Sequence, residues 1–172
     1  MNTNIKFNFN KKTILIIGGS KGIGLELVKQ YSISGSKVYY VSRTKIPNDY
    51  NAHHLSYDLS SKSDLKKLEK NLNILNKIDI LVNSAAINFS KKINDITLEE
   101  WEKVISINLN SIFFITKKVI ELMKESSGGS IVNISSIAGR HRSIVSGSHY
   151  VSSKAAIIGL TRQLSYECAK FN

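Results

Sequence analysis

The sequence predicts an α/β fold, a parallel sheet whose strands are joined by crossover helices. Two observations predict it. Short apolar runs alternate with amphipathic stretches along the chain, and the first run ends in a glycine cluster that passes straight into a helix. Residues 13–17 are a continuous apolar run, as a buried strand requires. Over 24–34, Leu27, Val28 and Tyr31 recur at helical spacing, and Gly35 stops the helix. Residues 37–41, rich in β-branched and aromatic side chains, form a second strand. A weaker third strand, 54–57, follows a polar loop that holds the only proline, Pro47. Residues 61–75 set Leu65, Leu68, Leu72 and Leu75 on one helical face, and 78–82 are the fourth strand. Thr97 and Glu100 make a capping box that opens a helix running to residue 124. A fifth strand, 130–134, follows the Gly128-Gly129 break, and a last helix spans 149–170. No repeat or linker interrupts the pattern, so 1–172 is expected to be a single domain.

Composition narrows the function classes. The 172 residues are 42% hydrophobic and 22% charged, which suits a globular protein rather than a disordered or fibrous one. No apolar run approaches the ~20 residues of a membrane span, and the amino-terminal MNTNIKFNFNKK lacks the apolar core of a secretory signal. The single cysteine, Cys168, cannot form an internal disulfide, so a cytoplasmic setting is expected. The 24 Lys and Arg against 13 Asp and Glu leave a net charge of +11. The lysines are scattered, and the clustered arginines and aromatic platforms of a nucleic-acid reader are absent. Neither nucleic acid nor membrane is expected as a partner. His53, His54, His141, His149 and Cys168 have no metal-ligand spacing, so no metal is expected.

The first turn carries the first chemical signal. Gly18, Gly22 and Gly24 have the spacing G-x-x-x-G-x-G between a strand and a helix. Such a turn lets the backbone approach a pyrophosphate, with the helix N–H groups and dipole facing the anion. The candidate dinucleotide loop is therefore Gly18, Ser20, Lys21, Gly22, Ile23 and Gly24. A NAD site usually has an acid at the end of the second strand, for the ribose hydroxyls. Here the chain reads Val41-Ser42-Arg43-Thr44, with no acid, and Arg43 assisted by Lys21 could bind a 2′-phosphate instead. NADP is expected over NAD.

The second signal is Tyr150-Val-Ser-Ser-Lys154, a phenol and an ammonium on one face of the last helix. A phenol ordinarily titrates near pH 10, and a nearby cation favours its ionised form and brings it toward useful acid–base chemistry. Ser136, at the carboxyl end of the fifth strand, could hold a carbonyl or alcohol oxygen there.

Together these residues resemble the short-chain dehydrogenase/reductase family. The matches run in order: the glycine loop, Asp58-Leu59, Asp79-Ile-Leu-Val-Asn83-Ser84-Ala85-Ala86, Asn108, Ile134-Ser135-Ser136 and Tyr150-x-x-x-Lys154. The resemblance implies a doubly wound Rossmann sheet in three α/β/α layers and hydride transfer between a nicotinamide and a carbonyl/alcohol pair. It implies Tyr150 as general acid and Ser136 as the group that orients the substrate oxygen. Lys154 would make the phenol more acidic and bind the nicotinamide ribose, and Asn108 would hold a relay water. Asp58 and Leu59 would lie against the adenine, Asn83 would brace the central strands near the cofactor with Ala85 beside it, and Ser135 would support the strand end.

Three departures stand out. Ile17 replaces a threonine before the first glycine, Ala86 replaces a glycine near the cofactor, and the chain stops directly after its last helix. Family members continue into a sixth strand, a Pro-Gly turn, a substrate lid and a seventh strand, so a truncated or partial product is expected. Strand five would then be a sheet edge, and the pocket would lack a wall. The Ser-Ser-Ile-Ala-Gly and Tyr-Val-Ser-Ser-Lys-Ala-Ala stretches are most similar to 3-oxoacyl carrier-protein reductases. A 3-oxoacyl thioester substrate, an acyl carrier protein bearing it, and a role in fatty acid biosynthesis follow as expectations, with Arg140-His141-Arg142 at the pocket mouth. The helices 97–124 and 149–170 would pair subunits into a homodimer or homotetramer, using Ile105, Leu109, Ile112 and Phe113. The alternative is a non-catalytic nucleotide-binding or assembly subunit.

Overall fold

The computed structural model describes residues 7–47, 50–126 and 128–171. The first six residues, part of the segment inspected for a secretory signal, lie outside the described residues. The chain lays down β1 (Thr13–Ile17), α1 (Gly22–Ile33), β2 (Lys37–Ser42), β3 (Ala52–Ser56), α2 (Lys62–Leu72) and β4 (Ile80–Asn83). It continues through α3 (Leu98–Ile105), α4 (Ser111–Glu125), β5 (Ser130–Asn133) and α5 (Ser148–Cys168). All neighbouring strands are parallel, in the order β3-β2-β1-β4-β5. The winding goes outward from β1 to β3, then reverses across β1 to β4 and β5. This is the doubly wound α/β arrangement the sequence predicts.

Central strands buried on both faces explain the continuous apolar runs. In β1, Leu15 and Ile17 pack toward Leu68 and Leu72 of α2, Val119 of α4 and Ile157 of α5. Ile14 and Ile16 point the other way, toward Val28 of α1, with Val38 and Tyr40 of β2. Each of these β1 side chains is fully buried, and burying one of this size stabilises by roughly 1.5–3 kcal/mol. Helix packing on both faces makes the three layers. Among the described residues β5 stands at a sheet edge, as expected, and its Val132 is 44% exposed.

Several boundaries shift. β3 starts two residues before the predicted 54–57, because Val38↔Ala52 already pair in register. β4 begins at Ile80 rather than 78, and the helix predicted from 24 starts at Gly22. The helix predicted over 97–124 opens with the expected capping box, Thr97 Oγ1 accepting from the Glu100 backbone N–H and Glu100 from that of Thr97. It is not uniform, however: Ser106–Asn110 form a π-helical turn between α3 and α4. Ile112, expected on a subunit-pairing face, is 2% exposed in the core, while Phe113 and Phe114 carry the exposed apolar surface.

Asp79, just before β4, locks the amino-terminal ends of the central strands. Its carboxylate accepts the Thr13 N–H at 2.9 Å and pairs with Lys77 at 3.0 Å and Lys12 at 3.2 Å. Its carbonyl accepts from Ser130 and its N–H donates to Thr13, tying β1, β4 and β5 together. Burial alone would raise the Asp79 pKa, but the Thr13 N–H and the two ammonium groups outweigh it and hold the carboxyl below the usual range. A carboxylate with a depressed folded-state pKa adds stability that is present above its unfolded pKa, near 3.9, and is lost as pH falls through the folded value. Asp79→Ala strands the Thr13 N–H and should cost about 1–3 kcal/mol at pH 7 in urea titrations. The gap between variant and parent should shrink as pH is lowered below about 4, since the parent then loses the same interaction.

Candidate active site

The crevice lies where the winding reverses, at the carboxyl ends of β1, β2 and β4. The Gly18 N–H donates to Val41 O at 2.8 Å and Ser84 N–H to Ile17 O at 2.9 Å, so the turn after β1 is held from both sides. Gly18 has φ +88°, and a Cβ there would stand 2.6 Å from the Ala85 backbone. A Cβ on Gly24 would meet the Gly18 carbonyl oxygen at 2.1 Å. The turn can therefore fold flat over the first residues of α1 only with glycine at both places. The amino end of α1 has no side-chain cap, and its first turn has no acidic residue. That leaves backbone N–H groups and the positive end of the helix dipole for an external anion.

A cavity of about 250 Å³ opens beside this turn. It is lined by Gly18, Ser20, Lys21, Arg43, Asp58, Leu59 and Ala85 among others, all predicted cofactor residues. Gly22, Ile23 and Gly24 lie at the start of α1, outside that lining. Asp58 accepts from the N–H and hydroxyl of Ser60, at 2.8 and 2.7 Å. Those bonds, with the charge of Arg43, hold its carboxyl below the usual range. Arg43 is exposed and forms no ion pair among the described residues. A glycine turn, an uncapped helix end and the cations Lys21 and Arg43 in the crevice beside it are donors suited to the phosphates of a dinucleotide.

Tyr150 and Lys154 stand together on α5 and Ser136 follows the end of β5; none of the three lines the cavity above. Lys154 is 3% exposed; its Nζ donates to Ile134 O at 2.7 Å and lies 5.7 Å from the Tyr150 ring centroid. Burial pushes the Lys154 ammonium below the ordinary lysine range. Tyr150 is held through its backbone: its N–H is shared by Gly147 O and His149 Nδ1, and its carbonyl accepts from Ser153. Ser136 Oγ accepts the Ala138 N–H at 3.1 Å, so its own hydrogen is free to point outward. Ser135 donates to Lys154 O at 2.8 Å, joining β5 to α5.

Asn108 sits in the π turn and is 1% exposed. Its amide accepts from Ile87 N and donates to Ile87 O and to Ser153 Oγ, at 2.8, 2.9 and 3.1 Å. It thus joins the loop after β4 to the helix that carries Tyr150. Asn83 is buried and donates to Thr116 on α4 and Asn133 on β5, at 3.0 and 2.7 Å. The π turn and the Ile87 clamp had no signal in the sequence beyond an asparagine in a long helix. Ser84, Ile87 and Ile107, which also line the crevice, were missed because apolar and small residues there look like ordinary core.

The profile of the short chain dehydrogenase family matches residues 12–172. A tropinone reductase homolog of Arabidopsis thaliana is 36% identical over 184 residues, covering 100% of this chain and 69% of that protein. The 3-oxoacyl-[acyl-carrier-protein] reductase of Aquifex aeolicus is 32% identical, over 94% of this chain and 69% of its own length. The crystal structure of a short chain dehydrogenase from Leptospira borgpetersenii, with bound NAD+, superposes with a TM-score of 0.88 at 30% identity, over 95% of this chain and 68% of that one. The chain belongs to the short-chain dehydrogenase/reductase family. It is an oxidoreductase acting on CH–OH groups.

Gly24→Ala is expected to lower stability in urea unfolding by about 1–3 kcal/mol, since backbone at Gly18 cannot yield as a side chain would. Gly159→Ala on α5, where an added Cβ meets nothing within 4 Å, is the matched control. It should be neutral or stabilising by roughly 0.5–1 kcal/mol.

Proposed function

We propose that the chain is an NADP-dependent reductase that converts the carbonyl of a 3-oxoacyl thioester to an alcohol. The observation that carries the chemistry is the buried Lys154 ammonium beside the Tyr150 ring, anchored to the end of β5 next to Ser136. The observation that favours NADP is the cavity wall, where Arg43 and Lys21 face a crevice with Ser42 in place of an acid.

A bound nicotinamide supplies the hydride. Tyr150 donates its phenolic proton to the oxygen that becomes the alcohol, which removes the need for a free alkoxide. Ser136 donates a hydrogen bond to the same oxygen and fixes its position; preorganised donors of this kind need no rearrangement during the reaction. The Lys154 cation favours the phenolate left behind and binds the nicotinamide ribose. Asn108 keeps the loop at Ile87 and the helix at Ser153 in fixed relation, and a relay water for proton resupply, the role the family resemblance assigns there, would sit beside this clamp. Gly18, Ser20, Lys21, Gly22, Ile23 and Gly24 cradle the pyrophosphate; Asp58 and Leu59 face the adenine, with Asn83 and Ala85 beside the cofactor. The name of the Aquifex relative supports the thioester substrate and a carrier-protein partner. Exposed Phe113 and Phe114 support pairing of subunits through α4.

Steady-state reduction of an acetoacetyl thioester with NADPH and with NADH tests the assignment. A lower KM for NADPH is expected, and a clear NADH preference would reverse the cofactor choice. Tyr150→Phe should lower kcat by about 10²–10⁴ with cofactor binding retained. Tight nucleotide binding with no turnover of any carbonyl would favour a non-catalytic nucleotide-binding subunit instead.

A further inference from the structure

Ser42 closes β2, and Arg43 follows it into the wall of the crevice. The single hydroxyl hydrogen of Ser42 goes to Thr44 O at 2.7 Å. The hydroxyl oxygen therefore meets His54 Nε2, 3.0 Å away, as an acceptor; the Ser42 carbonyl oxygen stands 3.0 Å from the same nitrogen. Both groups accept, so Nε2 carries the hydrogen and donates to them. The imidazole stacks on Tyr40, its register partner across β2 and β3, with centroids 4.9 Å apart and planes at 23°. Tyr40 Oη accepts the Ile46 N–H at 3.2 Å, at the far end of the same turn. Two stacked rings thus hold the turn 42–46 at both ends, with the Arg43 side chain exposed between them.

We propose that His54 is a positioning residue for cofactor selection, locking the turn that presents Arg43 to the 2′-phosphate of the dinucleotide. The inference rests on the NADP reading above. A turn already ordered before binding loses less conformational entropy when Arg43 closes on an anion, and that saving appears only for a ligand with the 2′-phosphate. Residue 54 contributes no contact of its own; it acts through Ser42.

Calorimetric binding of 2′,5′-ADP and of 5′-ADP to the full chain tests this without turnover. The parent should bind 2′,5′-ADP more tightly. His54→Phe keeps the stack on Tyr40 and removes the donor; it should weaken 2′,5′-ADP about tenfold and leave 5′-ADP within about twofold. His54→Gln, whose amide can donate toward Ser42, should recover most of the loss. Equal weakening of both nucleotides, or none, would overturn the proposal while leaving a parental preference for 2′,5′-ADP intact. A parent that binds the two alike removes the NADP reading and this inference together. Should His54→Phe fail to fold, the nitrogen-15 spectrum of the imidazole decides: protonated Nε2 supports the proposal, and an Nδ1–H tautomer at neutral pH overturns it.

Discussion

The structure depends on one crossing of backbone. Directly after β1 the chain must turn into α1 while lying against the strand ends on both sides, and Gly18 passes so near Ala85 that no side chain fits between them. Ile17 and Gly18 bond to Ser84 and Val41 at that point, which fixes β1 between β4 and β2. Everything that makes the crevice follows from it. The uncapped amino end of α1 is brought over the strand ends, the reversal of winding leaves a gap above them, and Lys21 and Arg43 are set on its wall.

A second set of polar contacts carries that geometry to the proton-transfer residues. Asn108 grips both backbone groups of Ile87 in the loop after β4 and reaches Ser153, one turn from Tyr150. Ser135 and Lys154 tie α5 to the end of β5 from the other side. These bonds are buried or partly buried, where leaving a donor or acceptor unpaired is costly, so they favour one arrangement of loop, strand and helix over near alternatives. The π turn is part of this arrangement. Its extra residue per turn lets Asn108 enter from a helix that is otherwise α-helical on both sides.

The opposite end of the sheet answers a different requirement. Asp79 draws two lysines and a backbone N–H to one carboxylate at the strands' amino-terminal ends, far from the crevice. Lys21 and Arg43, on the crevice wall at the carboxyl ends, form no ion pair among the described residues. Two lysines are thus held by a carboxylate at the amino-terminal ends, while the two cations of the crevice wall are not.

The amino-acid sequence determined by itself the order of strands and helices, the glycine turn and the spacing of Tyr150 to Lys154. These are local: burial on both faces writes a continuous apolar run, and helical periodicity puts residues four apart on one face. It determined the family for the same reason, since several short motifs had to agree in order. Strand ends moved by two residues, because hydrogen-bonded register and not apolar character decides where a ladder begins. Tertiary structure alone decided that Ile112 turns inward while Phe113 faces solvent, that a π turn interrupts the long helix, and that His54 on one strand grips Ser42 on the next. Each of these depends on a partner distant in the chain, and no spacing along a single segment records where that partner will stand.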